Sequence, residues 1–140
     1  MVNAMNAKAR LLGMHEAQFA DPTGLSPENR ASATDLVRLV KAAYAHPQMR
    51  AYTTQKELTL KIGSRQVKWA NTNRLTGRAD WDIGLQKTGY IAAAGRCLVM
   101  QVAIGGRNVV MVFLDSVGRL SRLGDANRIR RWLETGARAA

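Results

Sequence analysis

Apolar residues recur along the chain with two spacings, and each spacing predicts a different kind of element. Over residues 2–14 they recur every three to four positions, which predicts an amphipathic helix ending near Gly13. The same spacing returns after Ser32, where a hydroxyl followed three residues later by Asp35 is typical of a helix N-terminus. This second predicted helix stops near His46-Pro47, because proline does not continue a helix.

Alternation of apolar and polar residues begins in the middle of the chain. Residues 58–69 alternate on both sides of Gly63-Ser64, which predicts a β-hairpin whose two-residue turn starts with glycine. Two longer apolar stretches follow. One runs as a single strand from the triplet Lys87-Thr88-Gly89 (KTG) to Ile104, and the other covers residues 109–114. Both have the composition of buried strands.

A last helix is predicted near the C-terminus, with Asp125 as its cap and Gly136 as its end. The order of elements is therefore helices, a small hairpin, two long strands and a terminal helix. This order indicates an α+β domain in which helices flank an antiparallel sheet. With 140 residues the chain is long enough for one domain with a hydrophobic core.

The charge of the chain narrows the class of partner. It has 21 Lys and Arg residues against 10 Asp and Glu, a net charge of +11, which favours an anionic partner such as nucleic acid, an acidic membrane surface or an acidic polymer. The only cysteine, Cys97, lies in an apolar stretch and is interpreted as a small core residue. No cluster has metal-ligand spacing and no cofactor is predicted.

The triplet Lys87-Thr88-Gly89 is the main candidate for binding chemistry. The lysine offers a fixed positive charge, the threonine hydroxyl can donate to a carboxylate, and the glycine lets a substrate come close to the backbone. Such a strand suits an extended peptide with an anionic end. A solvated strand end is the alternative interpretation, because three residues alone are weak evidence.

A family resemblance rests on blocks spread from about residue 2 to residue 134. The blocks are Met5-Asn6-Ala7-Lys8-Ala9, Leu12-Gly13-Met14, Phe19 to Ser26, Ser32-Ala33-Thr34-Asp35-Leu36, Asn71-Thr72-Asn73, Lys87 to Ile91, Ala94 to Met100, Leu114-Asp115-Ser116 and Asp125-Ala126. With them the chain resembles the C-terminal half of the low-molecular-mass penicillin-binding proteins, the serine D-Ala-D-Ala peptidases. It resembles in particular their D-alanyl-D-alanine endopeptidase branch.

The resemblance implies acyl transfer on peptidoglycan cross-links, in a penicillin-binding, β-lactamase-like transpeptidase domain. In that family a serine attacks the D-Ala peptide bond, a lysine three residues later helps to activate it, and the KTG strand aligns the substrate. Lys87 and Thr88 would hold the substrate carboxylate, and the Gly89 strand would pair with the peptide. Arg122 matches the carboxylate-binding arginine more loosely, and a surface arginine is the alternative. The implied partners are peptides ending in or containing D-Ala, and β-lactams when the site is complete.

The sequence departs from the family in its catalytic motifs. None of the five serines is followed three residues later by lysine or two residues later by asparagine. We therefore expect residues 1–136 to be the C-terminal portion of the catalytic domain, with a tail at 137–140, lacking the first strands and the nucleophile helix. No catalytic residue is assigned in this chain.

That expectation has structural consequences. One sheet face and one edge should be uncovered, which predicts aggregation or dependence on the missing half or a second chain. Burial of four valines is expected to need the missing layer: Val99, Val102, Val110 and Val112. The polypeptide alone should neither hydrolyse peptides nor bind penicillin covalently.

Two other functions compete with that of an enzyme fragment. The chain could be a non-catalytic remnant that binds peptidoglycan or a partner. It could also be a basic nucleic-acid-binding module, supported by the net charge and by Arg128, Arg130 and Arg131 on the last helix. That reading lacks interleaved aromatic residues and a nucleic-acid motif, so no nucleic-acid partner is predicted. A complete family member would work in the bacterial periplasm.

Overall fold

The computed structural model describes residues 1–136, which form helices, a small hairpin and a three-stranded sheet. The α-helices are α1 (Val2–Leu11), α2 (Ala33–Tyr44), α3 (Pro47–Thr54) and α4 (Ser121–Gly136), with a short 3-10 helix at Arg74–Gly77. The strands are β1 (Glu57–Ile62), β2 (Arg65–Ala70), β3 (Asp82–Ile91), β4 (Gly95–Ile104) and β5 (Arg107–Ser116). The predicted α+β class with an antiparallel sheet is confirmed.

The larger sheet has the strand order β3-β4-β5, with both pairs antiparallel. The single strand predicted from the KTG triplet to Ile104 is wrong, because the chain turns at residues 92–94. Ala94 N–H donates to Ile91 O at 3.1 Å, and Gly95 has φ +63°, a conformation that glycine adopts without strain. Three consecutive alanines kept the turn inside an apolar run, which is why hydrophobicity alone did not reveal it.

One face of this sheet forms the hydrophobic core. Leu98, Met100, Val102 and Ile104 alternate along β4 and pack with residues of β5, α4 and the segment before β3. Val102 is only 1% exposed, so the expectation that its burial needs a further layer is wrong. It lies on the α4 side, whereas the other three valines named with it face the opposite side and are half-buried.

The opposite face of the sheet is packed by α2. Gly84 permits this close approach, because a Cβ there would lie 2.6 Å from the Tyr44 ring and 2.2 Å from Gln101 Oε1. The register of β3 and β4 shifts at the same place, between Ile83 and Leu85. This irregularity turns Leu85 into the α2 side of the sheet, where it is buried.

The ends of the first two helices follow their sequence signals. Gly13, with φ +73°, lies just after the α1 C-terminus. Ser32 Oγ caps α2 by accepting from Asp35 N–H at 3.2 Å. The Asp35 carboxylate does not complete a reciprocal box; it accepts from Glu16 N–H at 2.9 Å and pairs with Arg38 at 3.0 Å. The buried acid therefore ties the end of the first helical region to the start of α2.

The loop predicted between the first two helices is organised by Asp21. Its carboxylate accepts from Thr23 Oγ1, from Ser26 N–H at 2.9 Å and from Asn29 Nδ2 at 2.8 Å. These hydrogen bonds, that of Thr23 first, lower the pKa of Asp21 to about 2.

Two helices differ from the prediction. The sequence pattern did not reveal α3, which begins directly at Pro47, because proline suits the first position of a helix as well as ending one. The last helix starts at Ser121 rather than at Asp125, whose carboxylate pairs with Arg128 one turn later inside α4. The predicted tail at 137–140 lies outside the described residues. Among residues 1–136, we find no helix with the length and apolarity of a membrane span.

Candidate functional site

The KTG triplet lies on an open edge of the larger sheet, because β3 is its outermost strand. Gln86 N–H points away from β4, since it donates to Thr53 Oγ1 at 3.3 Å. Backbone groups alternate in direction along a strand, so the N–H and C=O groups of Thr88 and Tyr90 also point outward. Within residues 1–136 these groups make no backbone hydrogen bond to another element. The edge is therefore available to an extended peptide.

Lys87 and Thr88 project from opposite faces of the sheet. Lys87 pairs with Val99 on the α2 side, and its exposed Nζ bends over the edge to donate to Thr88 O. Gly89 has open space where a Cβ would lie, with no atom within 4 Å. The structure thus places the lysine charge at the strand edge and leaves the approach to Gly89 clear.

Thr88 lies beside a cavity on the α4 side of the sheet. Its hydroxyl lies 2.7 Å from the Thr72 hydroxyl, and Thr72 lines a cavity of about 340 Å³. The other lining residues are Ala70, Asn71, Arg74, Arg96, Arg119, Leu120, Arg122 and Leu123. Of the four predicted site residues, only Arg122 lines this cavity, and Thr88 reaches its wall through the contact with Thr72. Lys87 and Gly89 are not among the lining residues.

Asn71 holds the segment that carries Thr72 against β3. Its Nδ2 donates to Gln55 O at 2.9 Å and to Thr53 O at 3.1 Å, while its Oδ1 accepts from Gln86 Nε2 at 3.0 Å. Gln86 Nε2 also donates to Thr53 O at 2.8 Å. Because these bonds tie the end of α3, the end of β2 and β3 together, the Thr72–Thr88 contact has a rigid frame.

Arg122 is buried at the start of α4, so the alternative of an ordinary surface arginine is wrong. Arg122 is 8% exposed, and its Nη1 donates to Cys97 O at 2.6 Å. The buried Nε has no hydrogen-bond partner within the described part of the chain. Burial lowers the pKa of the Arg122 guanidinium below its usual range, and the neighbouring Arg96 lowers it further. A guanidinium remains charged, and among the residues that the structure describes Arg122 forms no ion pair.

Sequence reasoning missed three cavity residues: Arg74, Arg96 and Arg119. Prediction of the β3–β4 hairpin, in place of a single strand, would have revealed Arg96. The antiparallel register pairs Arg96 with Tyr90, the residue after the triplet. Its guanidinium carbon lies 4.3 Å from the centre of the Tyr90 ring. Arg74 follows the Asn71-Thr72-Asn73 block in the 3-10 helix, and Arg119 directly precedes α4. No local pattern indicates that these two face the same cavity.

The charged side chains of the site suit the binding of an anion. Within residues 1–136 there is no group of three or more His, Cys, Asp or Glu side chains able to hold a metal ion. Cys97 is half-buried, and its thiol points to Ala94 O at 3.4 Å. The residues at hand can pair with a peptide backbone and hold a carboxylate.

The antiparallel sheet between helices, with a KTG strand at its open edge beside a buried arginine, defines part of a penicillin-binding-type peptidase domain. Sequence comparison gives the same result. The chain belongs to the D-alanyl-D-alanine carboxypeptidase family, whose family model matches residues 1–118. The predicted resemblance is confirmed.

The curated relatives include endopeptidases of this family. The chain is 41% identical to the D-alanyl-D-alanine endopeptidase of Escherichia coli over 137 residues, and 42% identical to that of Pseudomonas aeruginosa. Each match covers 96% of this chain and 44% of the relative. The chain therefore spans less than half the length of these relatives.

Solved structures agree with the fold. A mutant Streptomyces DD-transpeptidase superposes with a TM-score of 0.83 at 29% identity, over 94% of this chain and 53% of the other. A Listeria monocytogenes penicillin-binding protein in its cefotaxime-bound form gives 0.77 at 26% identity, over 93% of this chain and 53% of the other. Both comparisons again match about half of the larger protein.

Proposed function

We propose that this chain provides the substrate-binding wall of a serine D-Ala-D-Ala peptidase that acts on peptidoglycan cross-links. The single observation behind this proposal is the open β3 edge, where the Thr88 hydroxyl contacts Thr72 in the wall of a cavity that is also lined by the buried Arg122. The relatives named D-alanyl-D-alanine endopeptidase support this reaction class. The complete enzyme would act in the periplasm, on peptides that contain D-Ala, and would bind β-lactams.

In this proposal the outward backbone groups of Thr88 and Tyr90 pair with the peptide as an added strand. The peptide carboxylate lies between the Thr72–Thr88 hydroxyl pair and Arg122, where a charge-assisted hydrogen bond replaces the missing counter-ion. Lys87, whose Nζ donates to Thr88 O, places a positive charge at the β3 edge. A substrate is thereby aligned and its charge is neutralised, but no bond is broken by these groups.

The acyl-enzyme would form on a serine supplied from outside these 140 residues. No serine here has the lysine partner that the family's chemistry uses, and the relatives matched are more than twice as long as the matched region. The chain alone is therefore proposed to be inactive. A non-catalytic remnant that binds peptidoglycan or a partner is the competing function. Only the enzyme-fragment proposal predicts that activity is restored when the other half is added.

Covalent labelling with a fluorescent penicillin tests the proposal. The chain is incubated alone, and then with a polypeptide that supplies the upstream half of a family member, and both are examined on denaturing gels. We expect no band alone, and a band on the added half only when the two are together. Thr88→Val should reduce that band at least about tenfold, because the hydroxyl that orients the bound anion is lost.

Thr59→Val is the matched control, since Thr59 is exposed on the remote β1 strand and should leave labelling unchanged. A band on this chain alone would overturn the proposal. Association of the two halves without any label would favour the non-catalytic remnant.

A further inference from the structure

Two clusters of arginines in this protein differ in one respect, the presence of acidic partners. Arg78 and Arg130 both pair with Asp80, and Arg130 also pairs with Glu134 at 2.8 Å. In the cavity beside Thr88, by contrast, four arginines meet without an acidic residue in the lining: Arg74, Arg96, Arg119 and Arg122. Within residues 1–136 none of these four forms an ion pair.

One bound carboxylate would balance only one of these four charges. Like charges that share a cavity repel each other, and the pKa of Arg122 is already lowered in part by Arg96. A terminal carboxylate at Thr88 and Arg122 would neutralise one positive charge. Arg96, stacked on the Tyr90 ring, would still present its guanidinium to the cavity, with the charges of Arg74 and Arg119 beside it.

We infer that the cavity binds a doubly anionic peptide end, with a second acidic group held by Arg96. This inference rests on the proposed function, because the first acidic group is the carboxylate bound at Thr88. Arg96 selects for the second acid and is not itself a catalytic residue. A guanidinium suits this role because its planar donors match the two oxygens of a carboxylate.

The register of the hairpin gives the spacing between the two acids. Thr88 pairs with Leu98 and Tyr90 pairs with Arg96, so the two recognition positions lie two residues apart on the same face. Two residues of a strand span roughly 7 Å. A peptide whose side-chain carboxylate lies at about that distance from its C-terminal carboxylate fits both positions.

Two peptides of the same size test this inference, and variants of the chain then separate it from general attraction to a basic protein. N-acetyl-D-glutamyl-D-alanine and N-acetyl-D-glutaminyl-D-alanine differ by one charge, and their dissociation constants for the 140-residue chain are measured by NMR titration at low salt. We expect the glutamyl peptide to bind roughly tenfold more tightly, since one further charge-assisted hydrogen bond has that order of effect. Raising the salt concentration should reduce the ratio.

Variants then locate the second acid. Arg96→Gln should bring the ratio close to one while the glutaminyl peptide keeps its affinity. Arg131→Gln is the matched control, because Arg131 is an exposed arginine of α4 beside the acid-paired cluster, and it should keep the full ratio. Arg119→Gln, at an exposed position before α4, provides a second test with a partial loss if Arg96→Gln does not fold, as judged by circular dichroism.

Equal affinities for the two peptides would overturn the inference, as would a ratio that survives both cavity variants. Failure of the glutamyl peptide to bind would overturn it too. The proposed function is tested independently by the penicillin label. Equal dissociation constants for the two peptides, together with restored labelling, would therefore reject only the second acidic position.

Discussion

The β1–β2 and β3–β4 hairpins of this protein each direct apolar side chains to one face, but the surroundings of that face are opposite. In β1–β2 the apolar side chains share one face, where Leu58, Leu60 and Trp69 are 41–46% exposed. In β3–β4 the apolar side chains of β4 also share one face, yet Leu98 is 1% exposed and Met100 is fully buried. The difference lies in what covers each hairpin, because β4 packs against β5 and α4.

The contrast shows that alternation determines which residues share a face, but not whether that face is buried. Within the larger sheet, the buried face of β4 contributes stability, whereas the exposed edge of β3 carries the candidate binding site. Strand β3 is held by its pairing with β4 and by packing on the α4 side. Its outer edge can therefore remain open for a substrate. Four sets of measurements test this contrast.

The largest expected effect comes from the buried face. Met100→Ala should lower the free energy of unfolding by about 2–5 kcal/mol, because it leaves a cavity among closely packed side chains. Leu60→Ala, its control in β1, should cost less than about 1 kcal/mol, since that side chain is already 46% exposed. Urea unfolding followed by circular dichroism measures both, and similar losses would contradict the contrast.

Close packing of α2 on the other face predicts the next effect. Gly84→Ala should destabilise the chain by about 1–3 kcal/mol, because its Cβ would overlap the Tyr44 ring and the Gln101 side chain. Gly89→Ala is the matched control five residues later on β3. It meets no atom within 4 Å and should change stability by less than about 1 kcal/mol. Unfolding midpoints in urea that move equally would show that α2 does not press on the sheet.

A smaller effect is expected at the turn of the exposed hairpin. Gly63 has φ +60°, so Gly63→Ala should cost about 1 kcal/mol of local stability through backbone strain. Hydrogen exchange should then become faster for the amides of β1 and β2 while those of β4 keep their rates. If β4 amides exchanged faster as well, the two hairpins would be parts of one cooperative unit.

The smallest effect concerns an ion pair across the exposed hairpin. Lys68 Nζ lies 2.7 Å from Glu57 Oε2, with both side chains more than half exposed. Glu57→Gln should therefore cost only about 0.2–1 kcal/mol, and the cost should disappear in high salt. Thermal unfolding at two salt concentrations measures this, and a loss above that range would show that the pair is shielded from water.

Part of the candidate site was predictable from the sequence because its signals are local. The triplet Lys87-Thr88-Gly89 is a contiguous motif, and Arg122 was recognised through the family resemblance. Arg74, Arg96 and Arg119 were missed, since the chain segments that carry them meet only after the sheet has formed. The turn after Ile91 is the step on which this depends, because it places Arg96 opposite Tyr90.

By itself, the sequence determined the helix α2 with its Ser32 cap, the glycine turn of β1–β2, the net charge and the family. These depend on neighbouring residues or on composition. The tertiary structure alone decided which apolar faces are buried, that Asp35 holds Glu16 N–H, and that four arginines share one cavity without an acid. Burial and charge balance are sums over groups distant in the chain, so no local pattern contains them.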